Sequence, residues 1–90
     1  MTVETGIPRF PPGVRLREDA VRGGWVVLAP ERLFMPDEHA LEVLKLVDGA
    51  RSVGDIIDHL ASRYDAARDV IAADVVTMLQ DLAAKGAIRL

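Results

Sequence analysis

The stretch WVVLAPERLFMPDEHA, residues 25–40, decides the fold. Its first five residues, WVVLA (25–29), form a continuous apolar run rich in branched side chains and read as a central strand. PER (30–32) makes a tight turn, with Pro30 presetting the backbone angle. RLFM (32–35) returns as a third strand, too short to be a core element. Pro36 or Asp37 then starts a helix, and Asp37 and Glu38 suit its positive N-terminus. A short apolar strand between two prolines needs a purpose, because no catalytic residues stand out in the chain.

On the N-terminal side, VRLRED (14–19) alternates Val14 and Leu16 with Arg15 and Arg17, the pattern of a half-buried strand. AVRGG turns the chain back into residues 25–29, so the three strands form an antiparallel meander. The opening MTVETGIPRFPPG has three prolines and no period, and residues 1–13 read as an extended, proline-rich arm. Ile7 and Phe10 leave that arm able to dock against a neighbour. Residues 14–90 form the single domain.

Three helices follow. In the first, Ala40, Leu41, Leu44 and Val47 make the apolar stripe and Gly49 is the expected stop. The second opens with SVGD, in which Ser52 caps and Asp55 stands three residues on, a capping-box variant. Val53, Ile56, Ile57, Leu60, Ala61 and Tyr64 then recur at helical spacing. The third runs from about Ala67 to Lys85 and stops at Gly86. Ile71, Val75, Met78, Leu79 and Leu82 line one face, and Val70, Val76 and Ala83 widen it beyond what one contact needs. AIRL (87–90) can add a final short strand. The order predicts an α+β domain of winged-helix type, a three-stranded antiparallel sheet followed by three helices.

Composition narrows the function classes. Ninety residues make one domain, half of them apolar, with a thin aliphatic core and Phe10, Trp25, Phe34 and Tyr64 as the aromatic residues. Cysteine is absent, which removes disulfides and thiolate metal sites and fits a reducing cytoplasm. No apolar run reaches membrane-spanning length, and no basic-then-apolar leader opens the chain. A net charge of −3 offers little to a phosphate backbone.

The chemistry-bearing residues are sparse. His39 and His59 fall on different helices with no ligand cluster beside them, so no metal is expected. Ser52 reads as a cap and Ser62 as a helix-interior residue, and no GxSxG motif is present. Asp65, Asp69, Asp74 and Asp81 read as a solvated face. Asp74 stands apart because it lies inside the apolar run VIAADVV; an exposed helix charge or an ion pair to a strand arginine would account for it. A winged helix could be a DNA-binding regulator, but the N-terminal part of the third helix offers Arg68 against Asp69 and Asp74. Neither an enzyme nor a nucleic-acid partner has positive support.

Taken together, the runs APERLFM, LxLxDGxxSVxxI from Leu44 to Ile56, and DVxxxLxxLxxxGxI from Asp74 to Ile88 resemble the PqqD family of pyrroloquinoline quinone (PQQ) biosynthesis. The resemblance covers residues 8–90. It implies a cytoplasmic peptide chaperone, a recognition element for a ribosomally made precursor, with no cofactor of its own. Such a protein binds the precursor peptide PqqA and presents it to the radical-SAM enzyme PqqE. The leader peptide is expected to add a strand beside Arg32, Leu33, Phe34 and Met35, facing Asp74, Val75, Val76, Met78, Leu79, Leu82 and Ala83 of the third helix. The family pattern has a leucine–asparagine pair where this chain has Met35-Pro36, which bears on how far the edge strand extends. An exposed edge also allows pairing with a second copy, so monomer and homodimer both stay open.

Overall fold

A computed structural model describes residues 3–21 and 23–90. Met1 and Thr2 of the arm and Arg22 of the first turn lie outside the described residues. The elements are β1 (Arg15–Asp19), β2 (Gly24–Ala29), β3 (Arg32–Phe34), α1 (Glu38–Leu44), α2 (Val53–Arg63) and α3 (Arg68–Ala84). The sheet is antiparallel in the order β1-β2-β3, so the apolar run is the central strand, as the sequence predicts.

Register sets what each strand presents. Leu28 lies opposite Arg15 on one side and Leu33 on the other, and Val27 lies opposite Leu16 and Phe34. Facing residues of paired strands share a sheet face. Leu16, Val27 and Phe34 therefore point toward the helices, where Val27 is fully buried and the other two pack against the core. Arg15, Arg17, Val26, Leu28 and Leu33 occupy the outer face.

The core is aliphatic. Val27 shares one buried cluster with Val43, Leu44, Leu46 and Val47 around α1, Val53, Ile56, Ile57 and Leu60 of α2, Val75, Leu79 and Leu82 of α3, and Ala87 and Ile88 beyond it. Helix α2 begins where the sequence places it: the Asp55 amide donates to Ser52 Oγ at 3.0 Å, and the Ser52 amide donates to the Asp55 carboxylate at 3.0 Å. Helix α3 ends in a Schellman motif, with the Gly86 amide on the Ala83 carbonyl and the Ala87 amide on the Leu82 carbonyl. Gly86 takes the positive φ of 80° that this stop requires.

Three expectations are corrected. Helix α1 ends at Leu44, short of Gly49: the amides of Leu46 and Val47 bond three residues back and turn both side chains into the core. Val43, which the expected stripe omits, is buried, while Ala40 and Leu41 are only half-buried. The segment after α3 forms no sheet strand; Arg89 makes an isolated antiparallel bridge with Arg9 of the arm, its two bonds 2.9 and 2.7 Å long.

The arm thus lies on its own domain. Pro8 is fully buried, Phe10 packs against the core, and the Val53 amide donates to the Gly6 carbonyl at 2.8 Å. A 3-10 turn, Val3–Thr5, sits over the start of α2, where a Cβ on Gly54 would come within 3.3 Å of the Glu4 carbonyl.

Candidate peptide groove

Two edges of the sheet have no strand beside them among the described residues. They differ in chemistry. Four of the five residues of β1 are charged (Arg15, Arg17, Glu18 and Asp19), the usual way of discouraging strand pairing. Strand β3 and its continuation carry Leu33, Phe34 and Met35, with Leu33 52 % and Met35 67 % exposed.

The turn between β2 and β3 fixes which backbone groups of β3 point outward. Ala29 pairs with Arg32, so the loop is the two residues Pro30 and Glu31. The closing pair of a two-residue hairpin exchanges its own hydrogen bonds, and such pairs alternate along the ladder. Arg32 and Phe34 therefore bond to β2, and the Leu33 N–H and C=O point to the open edge. Pro36 biases Met35 toward extended backbone. Strand β3 itself ends at Phe34, one residue short of the expected 32–35, and Met35 follows it outside the ladder.

The inner face of β3 meets α3. Arg32 Nη1 donates to the Lys85 carbonyl at 3.1 Å, placing a cation at the negative end of α3, and its guanidinium lies 5.9 Å from the centre of the Phe34 ring. This contact ties the start of β3 to the C-terminal end of α3. Toward the other end, α3 faces α1: His39, Glu42 and Val43 line a cleft of about 320 Å³ with Ile71, Asp74, Val75 and Met78.

These contacts sort the residues expected to form the site. Asp74, Val75 and Met78 come together along the flank of α3 turned toward α1. Val75, Leu79 and Leu82 are core residues, 2 %, 0 % and 8 % exposed, and form the floor rather than a contact surface. At about 100° per residue, Val76 and Ala83 lie roughly 160° and 140° around the helix from Met78, on the opposite flank. Leu33 contributes its backbone to the edge, while its side chain rests beside Leu28 on the outer sheet face. The sequence reading missed His39, Glu42 and Tyr64 as cleft residues; the apolar stripe of α2 reaching Tyr64 was the available signal.

Asp74 is exposed on α3 and forms no ion pair among the described residues, so of its two readings the exposed helix charge is the one observed. Arg68, by contrast, is committed: Nη2 donates to Glu4 and Nε to Asp58, each at 2.7 Å. These bonds, the one to Glu4 foremost, push its pKa upward. The cation that a recognition helix would turn toward phosphate is already matched by two carboxylates. Among the described residues no group of three or more His, Cys, Asp and Glu could hold a metal, and no helix is long and apolar enough to cross a membrane.

The architecture is thus a winged-helix-like α+β domain with one largely apolar sheet edge standing open beside a helix. A family model, "Coenzyme PQQ synthesis protein D (PqqD)", matches residues 24–88. The chain is 55 % identical over 83 residues to a Rhodopseudomonas palustris (strain BisB5) protein named "PqqA binding protein", covering 92 % of this chain and 81 % of that one. The solution structure of the PqqD truncation of Methylobacterium extorquens PqqCD, described as a functional, stand-alone recognition element for ribosomally synthesized and post-translationally modified peptides, superposes with a TM-score of 0.75. It is 49 % identical, over 92 % of this chain and 88 % of that one. Lasso peptide synthetase B1, solved in complex with a leader peptide, has the same fold at a TM-score of 0.79 and 17 % identity, over 94 % of this chain and 100 % of that one. The chain belongs to the PqqD family.

Proposed function

We propose that this protein is a non-catalytic carrier of a PqqA-type precursor peptide, which it holds by strand addition at β3 and presents to a PqqE-type radical-SAM enzyme. The observation that carries the reading is the open, apolar edge of β3, with the Leu33 N–H and C=O directed outward beside α3. The names of the relatives supply the class of peptide, and the family resemblance alone supplies the enzyme.

Magnitudes divide the work between backbone and side chains. Leu33 and Met35 offer up to four ladder bonds, each contributing about 1 kcal/mol net. Ordering four peptide residues costs about 1–2 kcal/mol apiece, so the ladder alone roughly breaks even. Affinity must come from a few peptide side chains buried against the groove, at about 1.5–3 kcal/mol each. The backbone sets register and direction; the apolar contacts select the sequence.

Titrating the ¹⁵N-labelled protein with a PqqA-type peptide tests the proposal. Binding tighter than about 10 μM, near −7 kcal/mol, is expected, with the Leu33 and Met35 amides among those that shift. Affinity should change little between about 50 and 200 mM salt, whereas phosphate-driven nucleic-acid binding would fall by orders of magnitude. Unmoved β3 amides, or steeply salt-dependent binding to duplex DNA with none to peptide, would overturn it.

A further inference from the structure

The cleft between α1 and α3 opens a few residues past the end of β3, at the start of α1. Strand and helix are tied at one end by Arg32 and Lys85. From Arg32 to Met35 the strand advances about 10 Å, and from Lys85 back to Met78 the helix recedes by about the same distance. A strand and helix running side by side from that tie would bring the edge level with Met78, a lining residue of the cleft. The chain itself continues into α1, whose His39, Glu42 and Val43 form the facing wall.

The lining is specific in kind. Val43, Leu60, Val70, Ile71, Val75 and Met78 make an apolar interior. Tyr64 contributes a half-exposed ring, and Met78 a thioether, both favourable neighbours for another ring. Arg63 holds this corner in place: it donates to Glu42 at 2.7 Å and lies 5.6 Å from the centre of the Tyr64 ring. Glu42 is thereby matched, which leaves the Asp74 carboxylate as an acceptor with no ion-pair partner among the described residues.

From this we infer that the cleft is an anchor pocket for one large aromatic side chain carrying an N–H or O–H donor, tryptophan or tyrosine, belonging to the peptide held on β3. The inference rests on the strand-addition reading for the identity of the peptide. The ring fills the apolar interior between Tyr64 and Met78, and its donor meets Asp74 at the rim. A cleft of about 320 Å³ accepts one such side chain but not a folded element. A leucine would leave Asp74 without a donor, and a lysine would leave the apolar interior poorly filled.

The test uses the full chain and capped amino acids as probes, so that side-chain recognition is read apart from strand pairing. N-acetyltryptophanamide should give saturable shifts in the amides of His39, Tyr64, Val70, Ile71 and Met78, at least about threefold tighter than N-acetylleucinamide or N-acetyllysinamide. Val70→Asp, at an exposed position, should abolish those shifts in a protein that still folds, and Asp74→Asn should erase most of the preference over leucine. Equal response to all three probes, or no saturable shift, would overturn the anchor. A PqqA-type peptide that moves Leu33 and Met35 but leaves the cleft unperturbed would overturn it while strand addition stands. One that moves the cleft and not β3 would refute strand addition, with the aromatic preference still measured by the capped probes.

Discussion

Replacing Leu33 with proline, alongside Phe34 with proline, tests the open edge most directly. The two residues are neighbours on β3, but the hairpin register gives their N–H groups opposite directions. Leu33→Pro removes a donor that faces the edge, and its ring occupies the space an incoming strand would use. The fold should lose less than about 1 kcal/mol, since proline is accommodated on edge strands when the missing donor points outward. Peptide binding should lose one or two ladder bonds, about 1–3 kcal/mol, or ~5- to 150-fold in Kd. Phe34→Pro should do the reverse. It leaves the carbonyl of fully buried Val27 without its donor, at about 1–3 kcal/mol, and removes a ring packed on the core, at about 2 kcal/mol more. At roughly 4–8 °C per kcal/mol for a domain of this size, Tm should fall by more than about 12 °C. Leu33→Ala and Phe34→Ala serve as controls for the lost side chains. Thermal melts and calorimetric peptide titrations read both effects. A folded Leu33→Pro protein that binds peptide as tightly as Leu33→Ala would refute strand addition at β3, and a Leu33→Pro variant less stable than Phe34→Pro would refute the register.

Other expectations concern stability. Leu79→Asp places a carboxylate where the native side chain is wholly buried, so loss of the folded state in circular dichroism is expected, whereas Leu79→Ala should cost about 2–5 kcal/mol in denaturant titration. Ser52→Ala breaks the capping box of α2 and should cost about 1 kcal/mol, a drop of about 4–8 °C in Tm. The Asp48 carboxylate accepts the amides of Arg51 and Ala50, and these bonds, Arg51 first, hold its pKa below the ordinary value of 3.8. A depressed carboxylate contributes stability that is complete above that value and is lost as pH falls through the lower, folded one. Asp48→Ala should accordingly destabilise the protein at neutral pH and flatten the acid limb of its Tm–pH curve.

Features decided by neighbours in the chain were legible in the sequence. The hairpin around Pro30, the Ser52 and Asp55 capping box and the Gly86 stop each depend on a few consecutive residues, and each stands where local chemistry puts it. The central position of β2 followed from its unbroken apolar run, and β3 as an edge followed from its length. Periodicity also identified Val75, Leu79 and Leu82 as one face of α3. It could not say how the broad apolar surface around that face is turned against the rest of the molecule. A stripe records which side chains avoid water, not which neighbour excludes it, so Val76 and Met78 looked alike although they lie on opposite flanks. The same ambiguity let helix α1 be extended to Gly49, since Leu46 and Val47 satisfy an apolar pattern whether they are buried by a helix or by the turn that follows it. Tertiary structure alone set the tie from Arg32 to the Lys85 carbonyl, the return of the arm through Arg9 and Arg89, and the bond from Arg68 to Glu4. Each joins residues whose relative placement is fixed by packing of the whole domain, and no local propensity encodes it.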